Sequence, residues 1–272
     1  MEQEYFYGSL LSPTDLRDYQ VACGAPADLP ETFELDFSNI KIKNQGRVNS
    51  CVAHAISTIL EYHSKGLYNL STNFFYGIQK SYCDHEGQGM YLRDACKIAT
   101  KLGDPTLDDC PGNNEVPNCY SVAEEAMANS AIMERAADFR TASYYACKNN
   151  DDIKQALVNY GPILASIQWF KDLKAKNGIL TKTGNSTEGG YHAFVIYGYN
   201  EQGFLCQNSW GKTWGKGGRF ILPYDFKIRE ARGLIDLEND TFVTPPKKSK
   251  WAEYLYKLVN LIVNLLRKLN KT

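Results

Sequence analysis

What most restricts this chain is a change of hydrophobic period near Ala142. Ahead of it the apolar residues recur at helical spacing. In VAHAISTILEYHSK, which follows Cys51, the residues Ala53, Ile56, Ile59, Leu60 and His63 share one face, so a helix opens at Ser50 or Cys51. Further helical patches are predicted over 72–80 and 91–102, with an alanine-rich stretch at 121–140 that is helical in part and a long irregular loop at 103–119. Behind Ala142 comes one short helix at 151–160, then β-type runs at 162–169 (PILASIQW), 192–199 (HAFVIYGY), 203–207 and 219–222. A turn at Asn200-Glu201-Gln202 and a glycine-rich turn at 211–218 punctuate them. Helices first and antiparallel strands second make an α+β fold. The 272 residues suffice for one large domain or two lobes sharing a cleft, and no repeat is visible.

Composition then removes whole classes. With 43% hydrophobic and 22% charged residues the chain is neither disordered, fibrous nor a multi-pass membrane protein. A net charge of -1 gives no electrostatic basis for nucleic-acid binding. Eight cysteines without a C-x-x-C, and four histidines, advertise no zinc site, and no cofactor is expected. Cys110 and Cys119 share a loop and could pair in an oxidising compartment, whereas Cys206 reads as a buried strand residue. The N-terminus, MEQEYFYGSLLSPTDLRDYQ, is acidic and does not resemble a secretory signal. The default expectation is a cytoplasmic protein, with peripheral membrane attachment or non-classical export as alternatives.

Three residues carry candidate chemistry. Cys51 stands where a helix opens, after a polar, glycine-broken segment, and a helix N-terminus favours the thiolate. His192 begins an apolar strand and could serve as its base, and Asn208 follows another strand and could fix the imidazole tautomer. A buried structural cysteine explains Cys51 equally well on these grounds, and both readings stay open.

The surrounding strings resemble the papain-like cysteine peptidases. NQGRVNSCVAHA resembles that family's nucleophile segment, with an oxyanion-hole glutamine six residues before the cysteine, here Gln45 and Cys51. GGYHAFVIYGYN resembles the base segment and gives His192; NSWGKTWGKGGRFILP resembles the orienting segment and gives Asn208 and the shielding indole Trp210. Leu70-Ser71-Thr72-Asn73 resembles the start of the next helix, and Gly87-Gln88-Gly89 the rim of the substrate groove. The resemblance implies a two-lobed fold with a helical lobe, an antiparallel β-barrel-like lobe and the active-site cleft between them. It also implies a cysteine endopeptidase with a Cys-His-Asn triad, a thioester intermediate and protein or peptide substrates. A thioester-forming peptide ligase or amidase, and a catalytically silent peptide-binding homologue, are the alternatives. Peptide is expected along the backbone near Gly89 and Tyr191, with Met90, Tyr91, Ala193 and Ala231 in the main specificity pocket and Trp210 beside it. Val48, Asn49 and Val52 depart from the family's disulfide cysteine, glycine and aromatic residue, which suits a divergent microbial or viral branch.

The expected organisation is a lead segment at 1–34, a catalytic domain at 35–244 (helical lobe about 46–142, β lobe about 143–235) and a basic C-terminal helix at 245–272. The lead segment is too short for the family's usual pro-domain. It is expected either to lie on the cleft, through Tyr5, Phe6, Tyr7, Leu10 and Leu11, or to pack behind the sheet lobe. Beyond residue 244, seven basic residues face one acid, so the tail is +6 and the body -7. At helical spacing Glu253, Lys257, Asn260, Asn264, Arg267, Lys268 and Lys271 fall on one polar arc, and leucines, valines and aromatics fill the rest. So wide an apolar face suits a membrane surface, self-association through 251–271, or docking on the chain's own body. The membrane reading predicts that the full chain floats with liposomes containing phosphatidylserine and that a chain ending at Thr244 does not. If neither floats and truncation abolishes a dimer in gel filtration, the tail is an assembly device.

Overall fold

Eleven consecutive residues of helix α1 (Cys51–His63), from Cys51 to Glu61, are buried, so the helix is enclosed on every side rather than along one stripe. The computed structural model describes residues 6–15, 18, 29–83, 85, 87–112 and 116–236, all within one compact unit; the expected C-terminal helix and Tyr5 lie outside the described residues. Helices α2 (Thr72–Tyr82) and α3 (Leu92–Lys101) pack on α1, and α4 (Val116–Ala128) and α5 (Ser130–Ala136) complete the helical layer. Ser71 caps α2, its side chain accepting from Phe74 N at 3.2 Å. Phe74, Phe75 and Tyr76 then fill the space beside α1. Among the described residues no helix is long and apolar enough to cross a membrane.

Eleven strands are described. Two-residue β1 (Ser9–Leu10) pairs in parallel with β3 (Met90–Tyr91). The large sheet uses β2 (Phe33–Glu34), β4 (Ser143–Ala146), β5 (Ile163–Phe170), β6 (Leu173–Lys176), β7 (Ile179–Lys182), β8 (Gly189–Asn200), β9 (Gly203–Gln207), β10 (Arg219–Leu222) and β11 (Ile228–Ile235), with α6 (Asn150–Asn159) packed against it. Its order is β4-β11-β5-β8-β9-β10-β7-β6, and β2 pairs with β8 outside that path.

This order corrects the expected barrel-like lobe. The path starts at β4 and stops at β6, which do not pair, so the sheet is open. A barrel needs its terminal strands in register. Here the last strand is four residues long and carries Lys174 and Lys176, a charged edge that discourages further pairing. The sheet is not wholly antiparallel either, since β10 and β7 meet in parallel at Ile221 and Ile179.

The central strand β8 explains its own near-continuous apolar run. Ala193, Val195 and Tyr197 join the core around α1, while Phe194, Ile196 and Tyr199 join a second core with Trp169, Phe204, Trp210, Trp214 and Phe220. A strand covered on both faces has no polar face to display. Cys206 is buried in β9, and Cys110 and Cys119 are free thiols. Their sulfurs contact Val122 O and Asn73 Oδ1 instead of each other.

One buried carboxyl has a consequence for stability. Asp104 is fully buried beneath α1, where it accepts from Ser57 Oγ at 2.7 Å. Burial raises its pKa well above the usual carboxylate range, outweighing the Ser57 bond and the nearby Lys43 charge. A group whose pKa is raised in the folded state stabilises the fold below its unfolded pKa. That contribution fades as pH climbs toward the raised value. Asp104→Asn should therefore raise Tm more at pH 8 than at pH 5, by about 2–4 °C per kcal/mol gained. Equal shifts at both pH values would show that the carboxyl is not the titrating group.

Candidate active site

The turn before α1 is tied to the segment after β9. Gln45 N donates to Ser209 O at 2.9 Å and its Oε1 accepts from Ser209 Oγ at 2.7 Å. Its Nε2 donates to Val48 O at 2.9 Å and to Phe6 O at 3.0 Å. Gly46 takes a left-handed φ of +58°, which lets the chain turn from Gln45 toward the helix.

Cys51 is the first residue of α1 and is fully buried. Burial pushes its thiol up to about 11, partly offset by backbone hydrogen bonds to the sulfur from Ala193 (3.4 Å) and Gly8. His192 lies on β8 opposite Ile167 and is also fully buried; burial drives it down to about 4, against the favourable bond to Asn208.

The imidazole tautomer follows from the hydrogen bonds. Asn208 Oδ1 accepts from Ser209 N at 2.8 Å, which identifies that atom as the oxygen, and the same oxygen lies 2.7 Å from His192 Nε2. In the neutral ring Nε2 therefore carries the proton and donates. Nδ1 is a bare acceptor, buried and without a hydrogen-bond partner among the described residues. Trp210 stacks on the ring at 4.2 Å and Trp169 meets it edge-on at 5.2 Å, and both indoles are themselves buried.

Residues 6–10 run through this arrangement. Met90 N donates to Gly8 O at 2.8 Å, Ser9 Oγ donates to Ser166 Oγ at 2.8 Å, and the Tyr7 ring lies 6.3 Å from those of His192 and Trp210. Backbone approaches side chain closely here: a Cβ on Gly190 would stand 2.8 Å from Tyr7 Cβ.

Gln45, His192, Asn208 and Trp210 thus share one hydrogen-bonded and stacked assembly, and Cys51 reaches it through the N–H of Ala193, the residue after His192. Gly89 and Met90 form the rim that meets Gly8, Tyr91 pairs with Leu10, and Ala193 supplies the N–H to the sulfur. Tyr191 sits within β8 in register with Gln168 of β5, and it is the neighbouring Gly190 that faces the lead segment. Ala231 belongs to the second core, whereas Met90 and Ala193 belong to the first. Sequence reasoning missed Ser166 and Ser209, although a hydroxyl inside the apolar run PILASIQW was a visible anomaly. Buried His54 is not part of the assembly; burial takes it down to about 3, and its Nδ1 faces Ser50 O at 3.0 Å. Among the described residues no cluster of His, Cys, Asp or Glu is placed to hold a metal ion.

Residues 29–231 match the family model described as papain family cysteine protease. An uncharacterized peptidase C1-like protein of Acanthamoeba polyphaga mimivirus is 27% identical over 208 residues, covering 69% of this chain and 65% of its own. Cathepsin B-like cysteine proteinase 3 of Caenorhabditis elegans is 26% identical over 249 residues, covering 79% and 65%. The viral cathepsin of Autographa californica nuclear polyhedrosis virus is 28% identical over 204 residues, covering 71% and 59%. The chain thus spans about two thirds or less of the length of these relatives. Among solved structures, xylellain, a cysteine protease from Xylella fastidiosa, superposes with a TM-score of 0.71 at 21% identity, covering 85% of this chain and 96% of its own. Procathepsin B S9 from Trypanosoma congolense gives 0.64 at 16% identity, covering 85% and 86%. With the family model matched over most of its length and low identity to viral and microbial relatives, the chain is a divergent member of the papain family of cysteine proteases.

Proposed function

We propose that this chain is a cysteine endopeptidase in which Cys51 is the nucleophile, His192 the base, Asn208 its orienting partner and Gln45 an oxyanion donor, and that residues 6–10 cover the site at rest. The observation that carries this reading is that one passing backbone segment engages both the Gln45 amide, through Phe6 O, and the Cys51 sulfur, through Gly8. A groove that receives peptide backbone at those two atoms suits peptide substrates.

In the covered state both reacting groups are dry, and the thiol and the imidazole are neutral. Once residues 6–10 leave, water and substrate enter and the penalty on charge falls. His192 Nδ1 takes the thiol proton, and the sulfur attacks the scissile carbonyl carbon. The developing oxyanion takes hydrogen bonds from Gln45 Nε2 and the Cys51 N–H, each contributing roughly 3 kcal/mol. The C–N bond breaks as His192 Nδ1–H protonates the leaving amine, which leaves a thioester on Cys51. Nδ1 then accepts a proton from water, whose oxygen attacks the thioester. The carboxylic acid departs and the sulfur recovers its proton. A peptide ligase would use the same thioester with an amine in place of water, and product analysis by mass spectrometry separates the two.

Cys51→Ala should abolish hydrolysis of a quenched peptide and labelling by a peptidyl epoxide; turnover comparable to the unaltered chain would reject the nucleophile. Gln45→Ala should lower kcat by about 10²–10³-fold, more than it raises KM. Asn208→Ala should cost less than His192→Ala, because it orients rather than reacts.

The cover has its own test. A side chain at Gly8 would run into the Asn49 carbonyl, and overpacking of this kind costs about 1–3 kcal/mol. Gly8→Val should thus raise the uncovered population and kcat/KM by about 5- to 150-fold. Alkylation of Cys51 by iodoacetamide, followed by peptide mass mapping, should be slow at neutral pH in the unaltered chain and climb toward pH 11. In Gly8→Val it should already proceed at neutral pH. Identical alkylation profiles in the two chains would reject the cover.

A further inference from the structure

Beyond the cover at residues 6–10, Asp18 of the lead segment pairs with two arginines of the body. Asp18 accepts from Arg93 Nε at 3.0 Å and Nη2 at 2.5 Å, and from Arg232 Nη2 at 2.9 Å. The arginines come from different layers: Arg93 is the second residue of α3, immediately after β3, and Arg232 lies on β11 opposite Leu164 and Ala146. Both are buried, at 8% and 3% exposure, and Arg232 Nη1 has no hydrogen-bond partner among the described residues.

The pair lies along the track that the lead segment follows. Phe6 meets Gln45, Gly8 meets Cys51, and Ser9 meets Ser166 and Met90. Ser12 then accepts from Arg93 N at 3.2 Å and donates to Glu230 Oε2 at 2.9 Å. Glu230 stands opposite Ser166 across β11 and β5, and its other oxygen takes Arg232 Nε at 2.6 Å.

We propose that Arg93 and Arg232 form a carboxylate-binding subsite of the groove, filled in this structure by Asp18 and taken by an acidic side chain of a bound peptide when the lead segment leaves. The proposal rests on the peptidase reading above and names its substrate class. Charge balance drives it. With Asp18 in place, two guanidinium groups face two carboxylates. Without it, Arg232 keeps Glu230 and Arg93 loses the carboxylate it binds, and a buried unpaired cation is strongly unfavourable. The body supplies one acid to this site and the lead segment supplies the other, so the vacancy is created by the event that opens the groove. A carboxylate matches the planar fork of Arg93 with two bonds, where an amide offers one acceptor and one clashing donor.

The test uses the full chain with and without Asp18→Asn, and quenched peptides of one sequence in which Glu or Gln is placed in turn at each position flanking the scissile bond. The expected result is a kcat/KM preference for Glu of about tenfold or more at one position, the same in both chains because the lead segment must leave before either peptide binds, with both rates higher in Asp18→Asn. Arg93→Gln should reduce that preference below about twofold, and Arg93→Lys should leave an intermediate value, since charge is kept and the fork is lost. If Arg93→Gln does not fold by circular dichroism, the reduced preference of Arg93→Lys decides alone. Cleavage with equal rates for Glu and Gln at every position overturns the subsite and leaves the peptidase standing. Absence of cleavage in both chains, with Cys51 unlabelled by a peptidyl epoxide, overturns both.

Discussion

The hydrogen-bonded seam between residues 43–45 and 207–211 holds everything else in place. Gln45 and Ser209 exchange backbone and side-chain bonds, Gly211 N donates to Lys43 O at 2.9 Å, and Asn44 bridges Trp210. The same Ser209 fixes Asn208 Oδ1 through its own N–H, and Asn208 fixes His192. A single seam therefore sets the position of the Gln45 amide, the tautomer of His192 and the plane of the stacked indole. Each bond is worth only about 1 kcal/mol net. Their value lies in leaving none of these side chains a second orientation.

Rigid placement brings the reacting groups into a dry site, and dryness reverses their charge preference. The helix N-terminus and two amides favour a thiolate at Cys51, yet burial outweighs them and keeps the thiol neutral. His192 responds in the opposite direction for the same reason. On the proposed reading, charge separation is linked to solvent entry, and solvent entry to the departure of residues 6–10.

The legible part of this molecule was the part with a local signal. Helix α1 was readable from Ala53, Ile56, Ile59 and Leu60, and the central strands from their apolar runs. Gln45, Cys51, His192 and Asn208 came from short strings whose contacts were invisible but whose order resembled a known pattern. Strands of two residues, β1, β2 and β3, have no period to detect, and β4, β6 and β7 lack the apolar run that marks the equally short β10. Strand β11 hid for another reason. IREARGLI places Glu230 and Arg232 in a strand interior, a charge pattern that argues against burial unless partners arrive from elsewhere. Those partners are each other, Ser12 and Asp18, distant by more than two hundred residues in sequence. The barrel expectation was drawn from the resemblance alone and met a sheet that ends on the lysine-bearing edge of β6.

The groove also separates two kinds of recognition. Near the sulfur the lead segment is held through backbone atoms, at Phe6 O, Gly8 and Gly8 O, and glycines line its path because a side chain on Gly8 or Gly190 has no room. Contacts of that kind read only that a peptide is present. Farther along, Ser166, Arg93, Glu230 and Arg232 offer hydroxyl and charge to whatever side chains follow. In the proposed peptidase, backbone contacts at the reacting atoms tolerate many sequences, since the scissile bond is chemically the same in all of them. On the proposed reading, discrimination falls at the outer positions, where burying the wrong group against a guanidinium carries a desolvation cost.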